Sequence, residues 1–170
     1  DNSTIIQSND FENNANGWTP EANPENWILE QGEYSGENGR SVSDASSLNT
    51  TLICQMKTID SGANIDDVAW LNFRYQNANN RYYFYITQDK QLVLGRYRNG
   101  VQRIFSQNTN PSYDPLYWNN IKISAIQGNI RVWINEILVA QAFDNDPLPE
   151  GRIALEAKNS HSHFDNVSIR

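Results

Sequence analysis

The sequence predicts an all-β fold, a two-sheet antiparallel β-sandwich of jelly-roll type, and three observations carry that prediction. Helical periodicity is hard to find anywhere in the 170 residues, whereas alternating or short apolar runs recur throughout. Turn residues, not long linkers, separate those runs. The composition has 24 Asn, 11% aromatic and 38% hydrophobic residues, which suits strands joined by polar turns better than a helical bundle.

Taken in order, strands are expected at 3–7 ("STIIQ"), at 26–36 ("NWILEQGEYSG", two strands about Gly32), at 51–59 ("TLICQMKTI") and at 68–76 ("VAWLNFRYQ"). They continue at 82–88 ("YYFYITQ"), 91–98 ("QLVLGRYR"), 101–107 ("VQRIFSQ"), 120–127, 130–136 ("IRVWINE"), 137–144 ("ILVAQAFD"), 152–157 ("RIALEA") and 163–170 ("HFDNVSIR"). "RNG" at 98–100, "QGN" at 127–129 and "NE" at 135–136 are hairpin-type connections, because Asn and Gly tolerate the left-handed backbone that tight turns require. No internal linker or fixed-period repeat interrupts the chain, so 1–170 reads as a single domain.

A net charge of −7 and a pI near 4.7 argue against nucleic acid or an anionic membrane as the general partner. Locally the balance differs, since five of the nine arginines fall between Arg74 and Arg103. The single Cys54, in the apolar run "TLICQM", excludes an intrachain disulfide and reads as a buried, inert thiol. No apolar run is long enough for a membrane span. A start without Met or signal peptide, together with few oxidisable residues, leads to the expectation of an exported, extracellular module.

The order of "SNDFENNANGW", "FRYQNANNRYYFYI", "LVLGRYRNG", "YWNNIKISAIQGNIRVWINEILVAQAFD", "LPEGRIAL" and "HFDNVSIR" resembles a known family. It is that of the concanavalin A-like, laminin-G-like sandwich modules attached to secreted bacterial polysaccharide lyases and glycoside hydrolases. The match runs over nearly the whole chain. The resemblance implies a non-catalytic carbohydrate-binding module, often with a structural calcium ion, and does not specify the sugar.

That family also supplies the expected metal ligands. "NDFE" at 9–12 resembles the opening of calcium-binding jelly-roll modules, and "FDNV" at 164–167 resembles their closing strand. Carried over residue by residue, these give Glu12 and Asp165 as ligands with Asp10 as a third candidate. Calcium takes about six to eight hard oxygens, so carbonyls from the Gly-rich stretch 35–39 would complete the shell. The alternative is that these are ordinary strand-end carboxylates. Zinc is not expected: His161 and His163 lie two apart with no Cys or third nitrogen ligand near them, and read as an exposed strand edge.

In "RYYFYIT", Tyr82, Phe84 and Ile86 fall on one face, with Arg81, Tyr83, Tyr85 and Thr87 on the other. In "VAWLNFRYQ", Ala69, Leu71, Phe73 and Tyr75 make the more apolar face, so Trp70, Asn72, Arg74 and Gln76 point away. If the outward sets belong to neighbouring strands, Trp70, Arg74, Tyr83 and Tyr85 share one surface. Arg96 and Tyr97 come from the next strand, whose register the sequence leaves open. Aromatic faces stack on the C–H face of a sugar ring, and guanidinium forks hold carboxylates. The expectation is therefore a platform of Trp70, Arg74, Tyr83, Tyr85, Arg96 and Tyr97 for a polysaccharide or oligosaccharide, for instance a uronate polymer. The same residues would also make cross-strand and cation–π pairs with no ligand role.

No Glu-x-Asp-x-x-Glu strand, no Gln-x-His strand and no Gly-x-Ser-x-Gly elbow is present. The expected function is thus a monomeric, non-catalytic module that tethers a covalently attached polysaccharide-degrading enzyme to its substrate. A small lyase or glycosidase of the same fold, and a laminin-G-like adhesion module, are the alternatives.

Overall fold

A computed structural model describes residues 4–170. Strands β1 (Gln7–Asn9) and β2 (Trp18–Pro20) are followed by a 3-10 turn (Pro24–Asn26), then β3 (Trp27–Glu30), β4 (Glu33–Ser47), β5 (Thr50–Asp60) and β6 (Ala69–Asn77). The rest are β7 (Asn80–Ile86), β8 (Gln91–Arg98), β9 (Val101–Thr109), β10 (Asn119–Ile126), β11 (Asn129–Ile134), β12 (Ile137–Phe143) and β13 (Gly151–Ile169). Pairing is antiparallel throughout and runs β12-β11-β10-β5-β13-β6-β7-β8-β9. No helix among the described residues is long and apolar enough to cross a membrane.

β13 makes this path a sandwich. Its first half pairs with β6 (Leu155↔Leu71), and its second half pairs with β5 (Phe164↔Met56). The chain passes from one layer to the other through a bulge between Ala157 and His161. β4 follows it along both halves. We call the layer of β6–β9 the front and the layer of β5 and β10–β12 the back. One core fills the space between them, with Leu71, Phe73, Tyr82, Phe84 and Leu94 from the front against Leu52, Cys54, Ile121, Val132 and Phe164 from the back. Cys54 is fully buried, and burial pushes its thiol pKa up, as expected of an inert thiol.

The three expected turns are two-residue hairpins. Their φ values are positive at Asn99 and Gly100, at Gln127, and at Asn135 and Glu136, in keeping with the twist of the strands they join. Three expectations change. The first strand starts at Gln7; the expected 3–7 begins at residue 3, outside the described residues. The stretches 152–157 and 163–170 are one strand, β13. No strand is expected over 37–50, yet "ENGRSVSDASS" (37–47) is most of β4. Gly36, just before that stretch, serves packing: a Cβ on it would stand 2.5 Å from the Trp27 ring.

Candidate functional site

The decisive local feature of the front layer is a bulge in β6. Its register with β7 breaks after Phe73, and Arg74 adopts a left-handed φ of 43°. One inserted residue reverses the alternation beyond it. Arg74 therefore turns inward instead of outward. It is fully buried and donates to the carbonyls of Leu48, Leu148, Ala125 and Gln127. Burial lowers its pKa. Arg74 is a strut that closes one end of the sandwich and is not part of a binding platform. Tyr75 takes the outward place instead.

Trp70, Tyr83 and Tyr85 do lie on the outer face, as the alternation predicts, but they are not a landing surface. They are 1%, 0% and 6% exposed. Trp70 stacks on Tyr85 with centroids 3.9 Å apart, and Tyr83 tilts against Trp70 at 4.9 Å. Tyr83 lies flat over Gly95, where a Cβ would stand 2.3 Å from the phenol oxygen. Lys158 and Arg81 cap the Trp70 ring at 5.5 Å, and its Nε1 donates to the Asp66 carbonyl. These rings form a second small core with Val68 and Val93. Burial raises the Tyr83 phenol to about 12, against the opposing hydrogen bond from Gln102, and raises Tyr85 further. Aromatic side chains bury themselves against one another wherever neighbours allow, and alternation does not report neighbours.

The register of β8 is settled as well. Tyr97 points outward, half-buried, 5.4 Å from Tyr83 and under the Arg81 guanidinium at 4.9 Å. Arg96 goes to the opposite side and pairs with the buried Asp144 at 2.6 Å, so it too is structural. Of the six expected contact residues, Tyr97 alone keeps an accessible outward ring.

Beside the rings, the same face carries a network that the expected platform omitted. Glu156 on β13 accepts from Arg81 at 2.7 Å and from Asn72 at 3.1 Å through Oε1, and from Arg40 at 3.3 Å through Oε2. Arg81 also donates to Asn72 Oδ1 at 2.7 Å. Arg40 on β4 reaches back to Glu21 at 3.0 Å, and Glu21 accepts from the Tyr75 hydroxyl. Burial raises the Tyr75 pKa, and its hydrogen bond to Glu21 adds to the shift. For Arg40, burial lowers the pKa, but Glu156, Tyr75 and Glu21 outweigh it, and the net shift is upward. A groove of 420 Å³ opens at the Tyr75 end, lined by Thr19, Glu21, Tyr75, Gln76, Glu150 and Arg152.

Alternation would have found Glu156, since Ile153 and Leu155 face the core. What it lacked was the pairing of β13 with β6 and of β4 with β13, two long-range contacts that set Arg40 and Glu156 beside Arg81. Larger grooves lie elsewhere, one of 600 Å³ beside Trp133 and Lys122 on the back layer and one of 570 Å³ among Asn9, Asn14 and Asn166. Neither holds a network of fixed charges.

The expected calcium ligands are neighbours but not a closed ligand set. Burial raises the Asp165 carboxyl, and the negative charges of Glu33, Glu12 and Asp10 raise it further. Asp10 Oδ1 is taken by the Glu12 N–H and Asp165 Oδ1 by the Asn166 N–H. The stretch 35–39 is strand, so it forms no carbonyl turn. Among the described residues, the trio whose ligand atoms all approach within 4.8 Å is another one: Glu30, His161 and His163. Nor are the histidines an exposed edge. β13 runs between β4 and β5 there, and His163 is 8% exposed.

Comparison with known proteins places these features. The carbohydrate-binding module CBM66 from Bacillus subtilis superposes with a TM-score of 0.77 at 20% identity, over 91% of this chain and 95% of that one. A Bacillus licheniformis beta-glucanase gives a TM-score of 0.74 at 14% identity, over 99% of both chains. These likenesses show a shared jelly-roll sandwich. No curated protein matches the sequence. The model of the 3-keto-alpha-glucoside-1,2-lyase-like domain matches residues 8–170, nearly the whole chain, and the chain belongs to that family.

Proposed function

We propose that this domain binds a saccharide on the outer face of its front layer, at the accessible Glu21, Arg40 and Tyr97, which the buried Asn72, Tyr75, Arg81 and Glu156 hold in place from beneath. One observation carries the reading. Arg40 and Glu21 are held in fixed geometry at the surface by a buried layer of Arg81, Glu156, Asn72 and Tyr75, next to a half-buried ring and a groove of 420 Å³. The Arg40 guanidinium and the Glu21 carboxylate supply a donor and an acceptor for vicinal hydroxyls, and the Tyr97 ring supplies an apolar surface for a pyranose C–H face. The fold it shares with a carbohydrate-binding module and a glucanase supports the same reading.

The charge balance refines the ligand class. Glu156 neutralises Arg81 and shares Arg40 with Glu21, so neither guanidinium of the network is left over for a uronate. A neutral saccharide is the better fit. Binding would serve an extracellular module that holds an attached polysaccharide-degrading enzyme at its substrate. A calcium ion at Asp10, Glu12 and Asp165 would relieve the crowding of like charge there, and Ca²⁺ would then raise the melting temperature of chelator-treated protein.

The family match favours a second reading, that the face acts on an oxidised glucoside instead of merely holding a sugar. Affinity electrophoresis against neutral and acidic polysaccharides, together with incubation with 3-keto-glucosides, separates the two. Retardation by neutral glycans without product supports binding. Release of the aglycone or of an unsaturated sugar shifts the assignment to catalysis. Neither retardation nor product on any panel member refutes the proposed site.

A further inference from the structure

Beyond the saccharide face, the β4–β13 ribbon carries a second cluster, where β13 leaves the front layer. Its members come from three strands: Glu30 at the end of β3, Ser35 on β4, and His161 and His163 on β13. The two imidazoles turn their Nε2 atoms toward each other, 3.2 Å apart. Glu30 Oε2 lies 3.3 Å from His163 Nε2, and Ser35 Oγ lies 2.9 Å from His161 Nε2. On their far sides both rings are backed by carboxylates. His163 Nδ1 meets Glu33 at 3.3 Å, and His161 Nδ1 lies 3.9 Å from both Glu37 and Asp60.

Two ring nitrogens that converge on the same point as a carboxylate oxygen are poorly served by hydrogen bonds alone. At most one proton can lie between the two Nε2 atoms, and Ser35 and Glu30 compete for the same space. A cation resolves the conflict. With Zn–N and Zn–O bonds of about 2.0–2.1 Å at tetrahedral angles, neighbouring donors stand about 3.3–3.4 Å apart. The observed 3.2 Å and 3.3 Å separations are edges of such a tetrahedron. Glu33, behind His163 Nδ1, is the outer partner that holds a metal-bound imidazole in the correct tautomer, and Glu37 and Asp60 place negative charge behind His161. Four carboxylates surround two imidazoles here, so a divalent charge is also welcome.

We propose that Glu30, His161 and His163 form a zinc site, with Ser35 Oγ or a water in the fourth position and Glu33, Glu37 and Asp60 as its outer partners. The sequence hides the site because its third ligand is a carboxylate 131 positions before His161, at the far end of a three-strand ladder. Ligand softness sets it apart from the calcium position: imidazole suits zinc and its transition-metal neighbours, whereas calcium takes oxygen.

The test is calorimetric titration of the dialysed full chain with ZnCl₂ near neutral pH in the presence of excess CaCl₂, with melting temperature read in parallel. The site predicts one saturable zinc equivalent per chain and a higher melting temperature. It also predicts that affinity falls by about tenfold or more in His161→Ala and in Glu30→Gln. Both residues are partly or fully exposed, so circular dichroism of these variants should match that of the parent. Replacing zinc by Co²⁺ should give the visible absorption of a tetrahedral nitrogen–oxygen site, lost in the same variants. The proposal fails if no saturable equivalent binds, if excess Ca²⁺ displaces the zinc, or if both variants bind as the parent does. His163 would then be an imidazole held between Glu30 and Glu33 for structural reasons alone.

Discussion

The front layer's outer face divides into a half made of rings and a half made of paired charge. Trp70, Tyr83 and Tyr85 are packed against one another and over Gly95 until almost nothing of them reaches solvent. Arg40, Glu21 and Tyr97 stay partly open, though Arg81 and Glu156 beneath them are nearly as buried as the rings. Apolar rings gain by closing over each other, at about 25 cal/mol for each Å² removed from water. Paired charges keep part of their surface wet, because complete desolvation costs more than the pair returns. Chemistry that invites sugar stacking therefore also drives self-burial. What stays available on the charged half is its outermost layer, Arg40, Glu21 and Tyr97.

The largest test of this division falls on the rings. Tyr83→Ala should cost about 3–5 kcal/mol of stability in urea denaturation, the range for truncating a buried aromatic residue, since a cavity opens between Trp70, Tyr85 and Tyr97. Unchanged stability would show that the ring is not core. Gly95→Ala should cost about 1–3 kcal/mol, as expected of overpacking, because its new methyl meets the Tyr83 phenol. A neutral outcome there would mean that Tyr83 has free room above the sheet.

Alkali gives a smaller, mutation-free check. The Tyr83 phenol is raised to about 12 in the fold, from an ordinary value near 10. The raised value favours the neutral form, so its stabilising contribution is complete below about pH 10 and is lost as pH rises through 12. Stability should fall across that window, and Tyr83→Phe should flatten the fall. Arg40→Ala should have the smallest effect on stability, about 1 kcal/mol or less, because Arg81 continues to neutralise Glu156 and the lost pair with Glu21 is exposed. A loss as large as that for Tyr83→Ala would remove the distinction between the two halves.

Most of the fold was legible because hairpins are local. Asn99-Gly100 and Asn135-Glu136 specify their own turns, and the flanking alternation fixes which residues face the core. The faces were legible in β7, where Tyr82 and Phe84 go in and Tyr83 and Tyr85 go out as alternation requires. Legibility ended at the bulge, since nothing in "NFRYQ" marks Arg74 as the extra residue, and one such residue exchanges Arg74 for Tyr75 at the surface. It ended again at long-range pairing. Arg40, Glu156 and Arg81 are scattered through the sequence and meet only because β13 lies between β4 and β6. Burial of Trp70 was hidden for the same reason, since Lys158 covers its ring from β13.

The proposed saccharide site lies on the charged half and not on the ring half. Affinity electrophoresis of the parent and Arg40→Ala on the same neutral glycan tests it most directly, with melting temperatures taken from the same samples. Retardation should be lost, by about tenfold or more in affinity, while the melting temperature stays within a few degrees. Equal retardation of the two proteins would contradict it.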